Sequence, residues 1–418
     1  MAQLSDDCFA HGGRLMTTAE ARALLAEKVA PVCAAERVPV MAALGRVLAE
    51  DLVAPADVPP HENSAVDGYA VFFDDLDPES ETRLPVIGRA TAGHPLEAPA
   101  ERGAAVRIFT GARMPEGPDT VMMQEDCRQE GEAVIIRPGI KRGANRRRRG
   151  EDIEAGARVL AAGTRLRPQD LGQAAAIGRA DLLVAEPLNV ALFSTGDELR
   201  EPGEALAPGS IYDSNRYTLH GLLAGLGCRV SDLGILADRR ATVEAALAEA
   251  AKDHDLIVTS GGVSVGEEDH VKQAVEALGS LHAWRLAIKP GRPIALGQVA
   301  RVPFVGLPGN PVAVMVTFLA FVRPMILRLM GAAELPPHHF TVTAGFDYRK
   351  KKDRREWVRA RLEADGRGGW RALKFPRDGA GILSSMVESD GLVELPEEMT
   401  ELSAGTPVDF LPFSEVSL

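Results

Sequence analysis

The sequence DLIVTSGGVSVGEED, residues 255–269, joins a strand-forming run to a glycine-rich, acidic loop. Residues 255–260 are mostly apolar or β-branched, which favours a buried strand, and a helix-forming run follows from His270 to Leu278. The glycines let backbone N–H groups approach an anion closely, and the N-terminus of the helix beyond them favours negative charge. No GK[ST] motif follows and the pattern is not GxGxxG, which argues against a Walker loop and a dinucleotide fold. The loop is therefore either a phosphate site or a structural turn.

The same alternation of strand and helix continues on both sides of this stretch. Because helical runs of about 10–15 residues separate the strand-like runs, the pattern predicts a parallel sheet. Ligands of such sheets bind beyond the carboxyl ends of the strands, so the loops that follow the strands are the candidate sites. The strand-like runs cover residues 188–194, 229–236, 255–260, 284–288 and 303–307, and the helical runs cover 214–226, 240–252 and 270–278. A last apolar run, 312–322, is shorter than the ~20 residues of a membrane-spanning helix and predicts a buried helix.

The rest of the chain has a different texture. Residues 17–27 and 41–50 predict two helices, and residues 159–183 return to a helix-forming pattern. Between about 55 and 140, prolines and glycines punctuate short β-rich runs, which predicts a small β module and is compatible with its insertion into a helical region. From Phe340 onward, turns such as ADGRGG separate short alternating runs and predict a final β domain.

Composition sets the broad class. The 418 residues exceed the ~100–150 of a typical single domain, and 47 basic against 59 acidic residues give a net charge of −12. Such an acidic chain is a poor general binder of nucleic acid or anionic membranes. The four cysteines show neither disulfide nor zinc-site spacing, and no signal peptide is visible at the start. We therefore expect a soluble, cytoplasmic protein with reduced thiols that binds neither nucleic acid nor membrane.

Charged residues flank the loops at the predicted rim of the sheet. The acidic ones are Glu198, Asp238 and Asp269, and the basic ones are Arg285, Lys289 and Arg292. Carboxylates repel an anion unless a divalent cation bridges them, so glycine loops, carboxylates and basic side chains together indicate Mg²⁺-assisted phosphate chemistry. Each carboxylate is also a suitable cap for a helix or turn, and that alternative stays open.

Several further motifs, in chain order, carry a resemblance to a known family. They are NSAVDGYA (63–70), RIFTGA (107–112), RRGED (148–152), FSTGDEL (193–199), TSGGVSVGEED (259–269), AIKPGRP (287–293) and LPGNP (307–311). Over roughly residues 15–415 the chain resembles the molybdopterin molybdenumtransferases, the molybdenum-insertion enzymes that are equivalent to the gephyrin E domain. The glycine-rich loop alone is shared with molybdopterin adenylyltransferases, and the other motifs favour the insertion enzymes.

The resemblance implies a multidomain α/β fold and an elongated homodimer. Its expected parts are a discontinuous N-terminal domain of helical and extended segments (1–54 and 146–186), an inserted β module (55–145), a three-layer α/β pterin-binding domain with a parallel-rich sheet (187–333) and a small C-terminal β domain (334–418). The resemblance also implies that the active crevice lies between the α/β domain of one subunit and the β module of the other.

The implied reaction takes adenylylated molybdopterin and molybdate, releases AMP by Mg²⁺-dependent hydrolysis and forms the molybdenum cofactor. The resemblance assigns catalysis to Asp67, Thr110, Asp152 and Glu198, with Glu198 and Asp152 organising the Mg²⁺. It assigns the binding of molybdopterin or AMP to Ser260, Gly261, Gly262, Ser264, Asp238, Asp269 and Arg147. Asp67 and Thr110 each precede a glycine, so a plain turn is the alternative at both positions.

A molybdate site should contain cations, hydroxyls and backbone amides, because molybdate is a tetrahedral dianion. The positions that match the family's oxyanion site are Arg285, Lys289, Pro308, Pro311, Arg359 and Ser385. Arg285 stands where relatives often have lysine, so a planar fork replaces a point charge. The basic run Arg146–Arg149 is either a solvated face or part of an approach for anions.

Two other functions remain as alternatives. A molybdopterin adenylyltransferase would resemble only the α/β region, and a non-catalytic molybdopterin-binding carrier or scaffold would need interaction segments of which this chain has few outside the resemblance. The implied partners are the adenylyltransferase that supplies the substrate and the acceptor molybdoenzymes, both in transient contact. Molybdate and tungstate are nearly equal in size and charge, so the sequence does not separate them.

Overall fold

The computed structural model describes residues 15–262, 270–333 and 336–416, and its centre is a six-stranded sheet. In spatial order the strands are Arg229–Leu236, Asn189–Thr195, Leu256–Ser260, Val302–Leu307, Pro293–Val299 and Gly279–Arg285. The first four run parallel to one another, which confirms the predicted parallel-rich sheet. Pro293–Val299 runs antiparallel to both of its neighbours, Val302–Leu307 and Gly279–Arg285. The extended run expected at 284–288 is wrong in its bounds. The strand ends at Arg285, and only seven residues separate it from the next strand of the sheet, which begins at Pro293. Seven residues are too few for the crossover connection between parallel strands.

Helices cover both faces of this sheet and make the domain three-layered. Val190 and Leu192 face one core, whereas the alternate residues Ala191 and Phe193 face another. The first core contains helix Asn215–Gly225, and the second contains helices Arg240–Asp253 and His270–Leu278. Strands buried on both faces explain why their sequences read as continuous apolar runs.

A long apolar helical stretch packs in the first core. It consists of Pro311–Thr317, a π-helical turn Phe318–Val322 and Arg323–Leu329. Pro311 occupies the first turn, where its missing N–H costs nothing. Within the described residues this is the one helix whose length and hydropathy would suit a membrane span, and 72% of its apolar window is buried inside the protein. The prediction of a buried helix is confirmed.

The N-terminal region contains less helix than its sequence predicts. Helix Thr18–Lys28 starts at a capping box in which Thr17 and Glu20 satisfy each other's backbone N–H groups. The helix predicted for residues 41–50 is wrong: a single 3₁₀ turn, Val40–Ala42, is followed by Gly45 at a φ of +74°, a conformation that ends helical geometry. Residues 159–183 form only the helix Pro168–Ala176 between strands.

Antiparallel pairs join the chain before the β module to the chain after it. They are Ala35–Pro39 with Asp181–Ala185, Leu52–Val53 with Arg158–Leu160, and Asn63–Ser64 with Arg146–Arg147. Between these pairs lies a six-stranded sheet in the order Thr120–Met123, Gly68–Val71, Ala105–Ile108, Thr82–Ala90, Ala133–Ile136 and Cys127–Glu130. The predicted domain boundaries themselves stay a prediction.

The C-terminal region closes into a five-stranded barrel, which confirms the predicted small β domain. Around the ring its strands are Arg355–Ala364, Trp370–Lys374, Phe340–Ala344, Pro407–Pro412 and Gly391–Leu395. A sixth strand, Ile288–Lys289, comes from the α/β region and pairs with the start of Arg355–Ala364. Smaller elements are the pairs Leu199–Arg200 with Ile211–Tyr212 and Tyr348–Arg349 with Glu401–Leu402, and the short helix Ser384–Val387.

Candidate active site

A cavity of about 640 Å³ lies between the rim of the central sheet and the barrel. Ser194 pairs with Ser260, and Ser260 pairs with Leu307, so the loops that follow these three strands begin side by side. We call the loops that line the cavity from this side the rim wall, which includes Thr195, Gly196, Glu198, Asp238, Gly261, Gly262 and Pro308. The opposite side is the barrel wall, which includes Tyr348, Glu356, Arg359, Lys374 and Asp378. Parallel topology thus gathers the predicted loops at one edge, and the barrel encloses the space beyond them.

The two glycines of the loop are required by its backbone. Gly261 has a φ of +88° and Gly262 a φ of +64°, which is the left-handed region that favours glycine. A Cβ on Gly261 would lie 2.9 Å from the carbonyl oxygen of Thr195, and one on Gly262 would lie 2.6 Å from Thr195 Oγ1. The loop therefore presents bare backbone to the cavity.

Ser260 supports this wall from inside. Its hydroxyl accepts a hydrogen bond from Asn215 Nδ2 at 2.9 Å and donates to the carbonyl of Pro308 at 3.2 Å, and the residue is buried. The bond to Pro308 connects the end of strand Leu256–Ser260 to the loop after Val302–Leu307, and the bond from Asn215 connects it to the start of helix Asn215–Gly225. Ser260 was predicted as a ligand contact, and the structure gives its hydroxyl internal partners.

The acidic residues predicted for the site, together with Ser264, divide into three sets. Glu198 and Asp238 line the cavity from two different loops. Asp152 is exposed in the N-terminal region and is not among the described residues that line the cavity. Ser264 and Asp269 lie outside the described residues, so their predicted contacts stay a prediction.

The cations of the cavity are held in unequal ways. Lys374 Nζ lies 3.0 Å from Asp378 Oδ1, so that pair is close to neutral. Arg359, 8% exposed, has no ion pair within the described part of the chain: its Nε donates to Ser385 Oγ at 3.0 Å, and its Nη2 donates to two backbone carbonyls. Burial lowers the pKa of the Arg359 guanidinium, but a guanidinium still remains charged in proteins. Arg359 therefore offers the cavity a positive charge that forms no ion pair with a described carboxylate, although Asp378 lies close enough to act on it electrostatically.

The other residues predicted to bind molybdate have different placements. Lys289 and Pro308 line the cavity together with Arg359. Ser385 is fully buried behind Arg359 and holds its guanidinium, while its own proton goes to the carbonyl of Ile382 at 2.6 Å. Among the described residues, the lining includes neither Arg285, exposed at the end of its edge strand, nor Pro311, the first residue of its helix.

The predicted catalytic pair of the β module is assembled away from this cavity. Thr110 donates two hydrogen bonds to Asp67 Oδ1, one from its backbone N at 2.8 Å and one from Oγ1 at 2.7 Å. These two bonds lower the pKa of Asp67, which is therefore ionised at neutral pH. Arg147 is exposed on the strand pair that borders the module. Within one chain, neither Asp67, Thr110 nor Arg147 is among the described residues that line the cavity.

Sequence reasoning missed most of the barrel wall. Tyr348 and Glu356 line the cavity beside Lys289, and Lys374 and Asp378 extend the same wall. No motif marks them, because their approach to Lys289 depends on the pairing of Ile288–Lys289 with the barrel. Asn215 was missed as well, although its position at the start of a helix was a signal for a polar role.

The acidic residues of the rim fit a magnesium ion that is held partly by substrate. The described residues contain no cluster of three or more His, Cys, Asp or Glu side chains suited to a metal. Mg²⁺ is commonly bound by one or two carboxylates together with substrate phosphates rather than by an all-protein cage. Glu198 and Asp238, which line the cavity from the rim wall, are the carboxylates available there.

Three family models match consecutive parts of this chain. Residues 16–178 match the MoeA N-terminal region (domain I and II), residues 191–328 match a probable molybdopterin binding domain, and residues 341–413 match the MoeA C-terminal region (domain IV). The chain is also 38% identical to the molybdopterin molybdenumtransferase of Haemophilus influenzae, over 96% of this chain and 100% of that protein. It is 36% identical to molybdopterin molybdenumtransferase 2 of Mycobacterium tuberculosis, over 90% of this chain and 94% of that protein.

A solved structure has the same architecture. The crystal structure of the molybdopterin biosynthesis moeA protein from Pyrococcus horikoshii superposes with a TM-score of 0.83 at 30% identity. The match covers 96% of this chain and 100% of that one. The similarity therefore extends over all the regions described above, including both walls of the cavity.

Proposed function

The chain belongs to the MoeA family of molybdopterin molybdenumtransferases, which act in molybdenum cofactor biosynthesis, and from that premise we propose the reaction and the residues that perform it. The substrates are adenylylated molybdopterin and molybdate, and the products are AMP and the molybdenum cofactor. The observation that carries this proposal is a single cavity with two unlike walls: bare glycine loops with Glu198 and Asp238 on one side, and Arg359 beside the ion-paired residues Lys374 and Asp378 of the barrel on the other.

The rim wall binds the organic substrate. The backbone N–H of Gly262 suits a phosphate, whereas that of Gly261 donates to the carbonyl of Leu307 at 3.1 Å. The helix that starts at His270 adds the favourable end of its dipole. Asp238 can accept hydrogen bonds from the N–H edge of a pterin. Ser264 and Asp269, predicted in the same loop, would extend this contact.

The barrel wall binds molybdate. Arg359 forms no ion pair with a described carboxylate, and Lys289 and Arg292 are further cations in the same cavity. Positive side chains suit the dianion, and hydrogen bonds between charged groups make such contacts short and strong. The anion would thus lie opposite the glycine loops, close to where the dithiolene sulfurs of a bound molybdopterin must receive the metal.

The chain's own residues orient the reactants and balance their charge. An oxygen of molybdate or of water attacks the phosphorus of the adenylate, and the bond from that phosphorus to the molybdopterin phosphate breaks. Attack by water gives AMP directly, whereas attack by molybdate gives an adenylyl-molybdate that water then hydrolyses to AMP and molybdate. Mg²⁺, held by Glu198 and Asp152 together with the phosphates, would neutralise charge on that phosphate when bound. The dithiolene sulfurs then replace oxygen ligands of the molybdate. We assign no covalent intermediate to the protein.

We propose that Asp67, Thr110, Arg147 and Asp152 complete the site from a second subunit. In one chain they lie apart from the cavity, whereas Glu198 and Asp238 line it. A symmetric dimer in which each β module approaches the partner's rim wall would join the two sets. We also propose that the protein acts in the cytoplasm and makes transient contacts with the adenylyltransferase and the acceptor enzymes.

The test is a turnover assay. Purified protein is mixed with adenylylated molybdopterin, molybdate and Mg²⁺, and the release of AMP and the formation of active cofactor are followed in parallel. We expect both products to appear together and only when molybdate is present. Tight binding of the pterin without release of AMP would contradict the proposal and indicate a carrier.

A further inference from the structure

Lys289 is held in the cavity by buried groups of the barrel. The pairing of Ile288–Lys289 with Arg355 and Glu356 brings the lysine to the start of a barrel strand. Its Nζ lies 3.4 Å from Glu356 Oε2 and donates a hydrogen bond to Tyr348 Oη at 3.2 Å. Glu356 is 1% exposed, so its carboxylate is fixed by its partners rather than by water.

The hydroxyl of Tyr348 has one orientation that satisfies both neighbours. It lies 2.9 Å from Glu356 Oε2, an acceptor, so its proton is donated there. Burial and then this hydrogen bond raise the pKa of Tyr348, so the phenol stays protonated at neutral pH. The phenol oxygen then accepts from Lys289, which has three N–H groups. One of these donates to Tyr348 and Glu356 Oε2 lies 3.4 Å from the same nitrogen, while the side chain still lines the cavity.

Arg354 determines how strongly Glu356 compensates the positive charge of Lys289. Its Nε donates to Glu356 Oε1 at 3.0 Å, and its Nη2 contacts the same oxygen. Arg354 is not among the described residues that line the cavity. Arg354 and Lys289 together carry two positive charges against the single negative charge of Glu356, so the cluster keeps one net positive charge. Without Arg354, Glu356 would compensate Lys289 instead.

We propose that Tyr348, Glu356 and Arg354 are positioning residues that turn Lys289 toward a bound oxyanion and leave its charge uncompensated. Arg359, whose described partners are neutral, supplies the second charge. The pair therefore selects a dianion over a monoanion. That the dianion is molybdate rests on the proposed function.

The experiment is a calorimetric titration of sodium molybdate into the full chain and its variants. We expect Tyr348→Phe to raise the Kd on the order of tenfold, since a hydrogen bond to a charged group is lost. We expect Arg354→Met to raise it by a similar factor, although Arg354 does not line the cavity. Adding Glu356→Gln to Arg354→Met should restore the affinity to within about threefold of the original, because the uncompensated negative charge is removed.

A second readout separates this role from a general effect on folding. In a Lys289→Met background, Tyr348→Phe should have no further effect on Kd, because the phenol acts through the lysine. The matched control is Tyr212→Phe, which removes a hydroxyl that donates to the carbonyl of Glu204, away from the barrel wall. Thermal melting of each variant identifies any that is unfolded.

The outcomes distinguish the two proposals. If the unmodified chain takes up molybdate and Arg354→Met binds it equally well, the positioning role is overturned while the proposed function stands. Additive losses in the Arg354→Met, Glu356→Gln double variant would overturn it too. If the unmodified chain shows no binding of molybdate even with adenylylated molybdopterin present, the proposed function fails.

Discussion

Backbone conformation and close packing restrict position 262 of the rim wall to glycine. A Cβ at this position would lie 2.6 Å from both Thr195 Oγ1 and Val271 Cγ2, and its φ of +64° is unfavourable for any other residue. We expect Gly262→Ala to lower the free energy of unfolding by about 2 kcal/mol, measured by urea denaturation. The control is Gly172→Ala in helix Pro168–Ala176, where nothing lies within 4 Å, and this change should be neutral or slightly stabilising.

A substitution at Asp67 can separate the effect of its negative charge from the effect of its hydrogen bonds. An asparagine in its place keeps an oxygen that accepts both bonds from Thr110, but the negative charge is lost. We expect Asp67→Asn to melt at an unchanged temperature and to reduce the rate of AMP release by about 100-fold. The control is Asp77→Asn, which changes an exposed turn of the same module. Full activity in Asp67→Asn would remove this carboxylate from the mechanism.

Among the elements, the segment between Thr195 and helix Asn215–Gly225 contains Glu198, and ion pairs of a single arginine stabilise it. Arg216, 3% exposed, binds Asp213, Glu201 and Asp232. We expect Arg216→Met to cost about 3 kcal/mol of unfolding free energy, because it leaves buried Asp213 without its partner. Arg240→Met, which breaks an exposed pair with Glu244, should cost less than about 0.5 kcal/mol in the same denaturation assay.

The free energy of unfolding should depend on acid pH through Glu394 of the barrel. Burial alone would raise its pKa, but hydrogen bonds from His339 and Trp357 and the charge of Arg355 lower it to about 2. A folded-state pKa below the unfolded value gives stability that is present above about pH 4.5 and is lost as the pH falls toward 2, in total about 3 kcal/mol. Unfolding measured across this range should show the loss, and Glu394→Gln should flatten it. An equally steep curve in the variant would assign the acid response to other groups.

The elements also show which features a sequence can predict. The strand at 229–236 and the helix at 270–278 were predicted with their observed bounds, because periodicity and turn residues agree there. Residues 41–50 were not, because tertiary pairing and Gly45 override local helix propensity. The rim wall follows from parallel topology alone. The barrel wall does not, because Tyr348 and Lys289 are 59 residues apart and meet only through strand pairing.

For the whole molecule, the separation of Asp67 from Glu198 leads to a complementation test. If each site takes Asp67 from one subunit and Glu198 from the other, a mixed dimer of Asp67→Asn and Glu198→Gln chains has one intact site and one doubly altered site. Unfolding and refolding the two inactive variants together at equal amounts should recover about one quarter of the original AMP release, since half of the dimers are mixed. Recovery of no activity, with mixed dimers demonstrated by tagged subunits, would place both residues in the same subunit's site.

The barrel side of the cavity is divided between two hydrophobic cores. Trp357 packs in the core of the sheet domain together with Leu392 and Leu411 of the barrel strands, whereas Val358 packs in the core inside the barrel. A substitution at Trp357 therefore disturbs packing under the sheet as well as the barrel side of the cavity. Choice of metal oxyanion and recognition of the organic substrate are thus coupled traits in this architecture, and a lineage that changes one inherits constraints from the other.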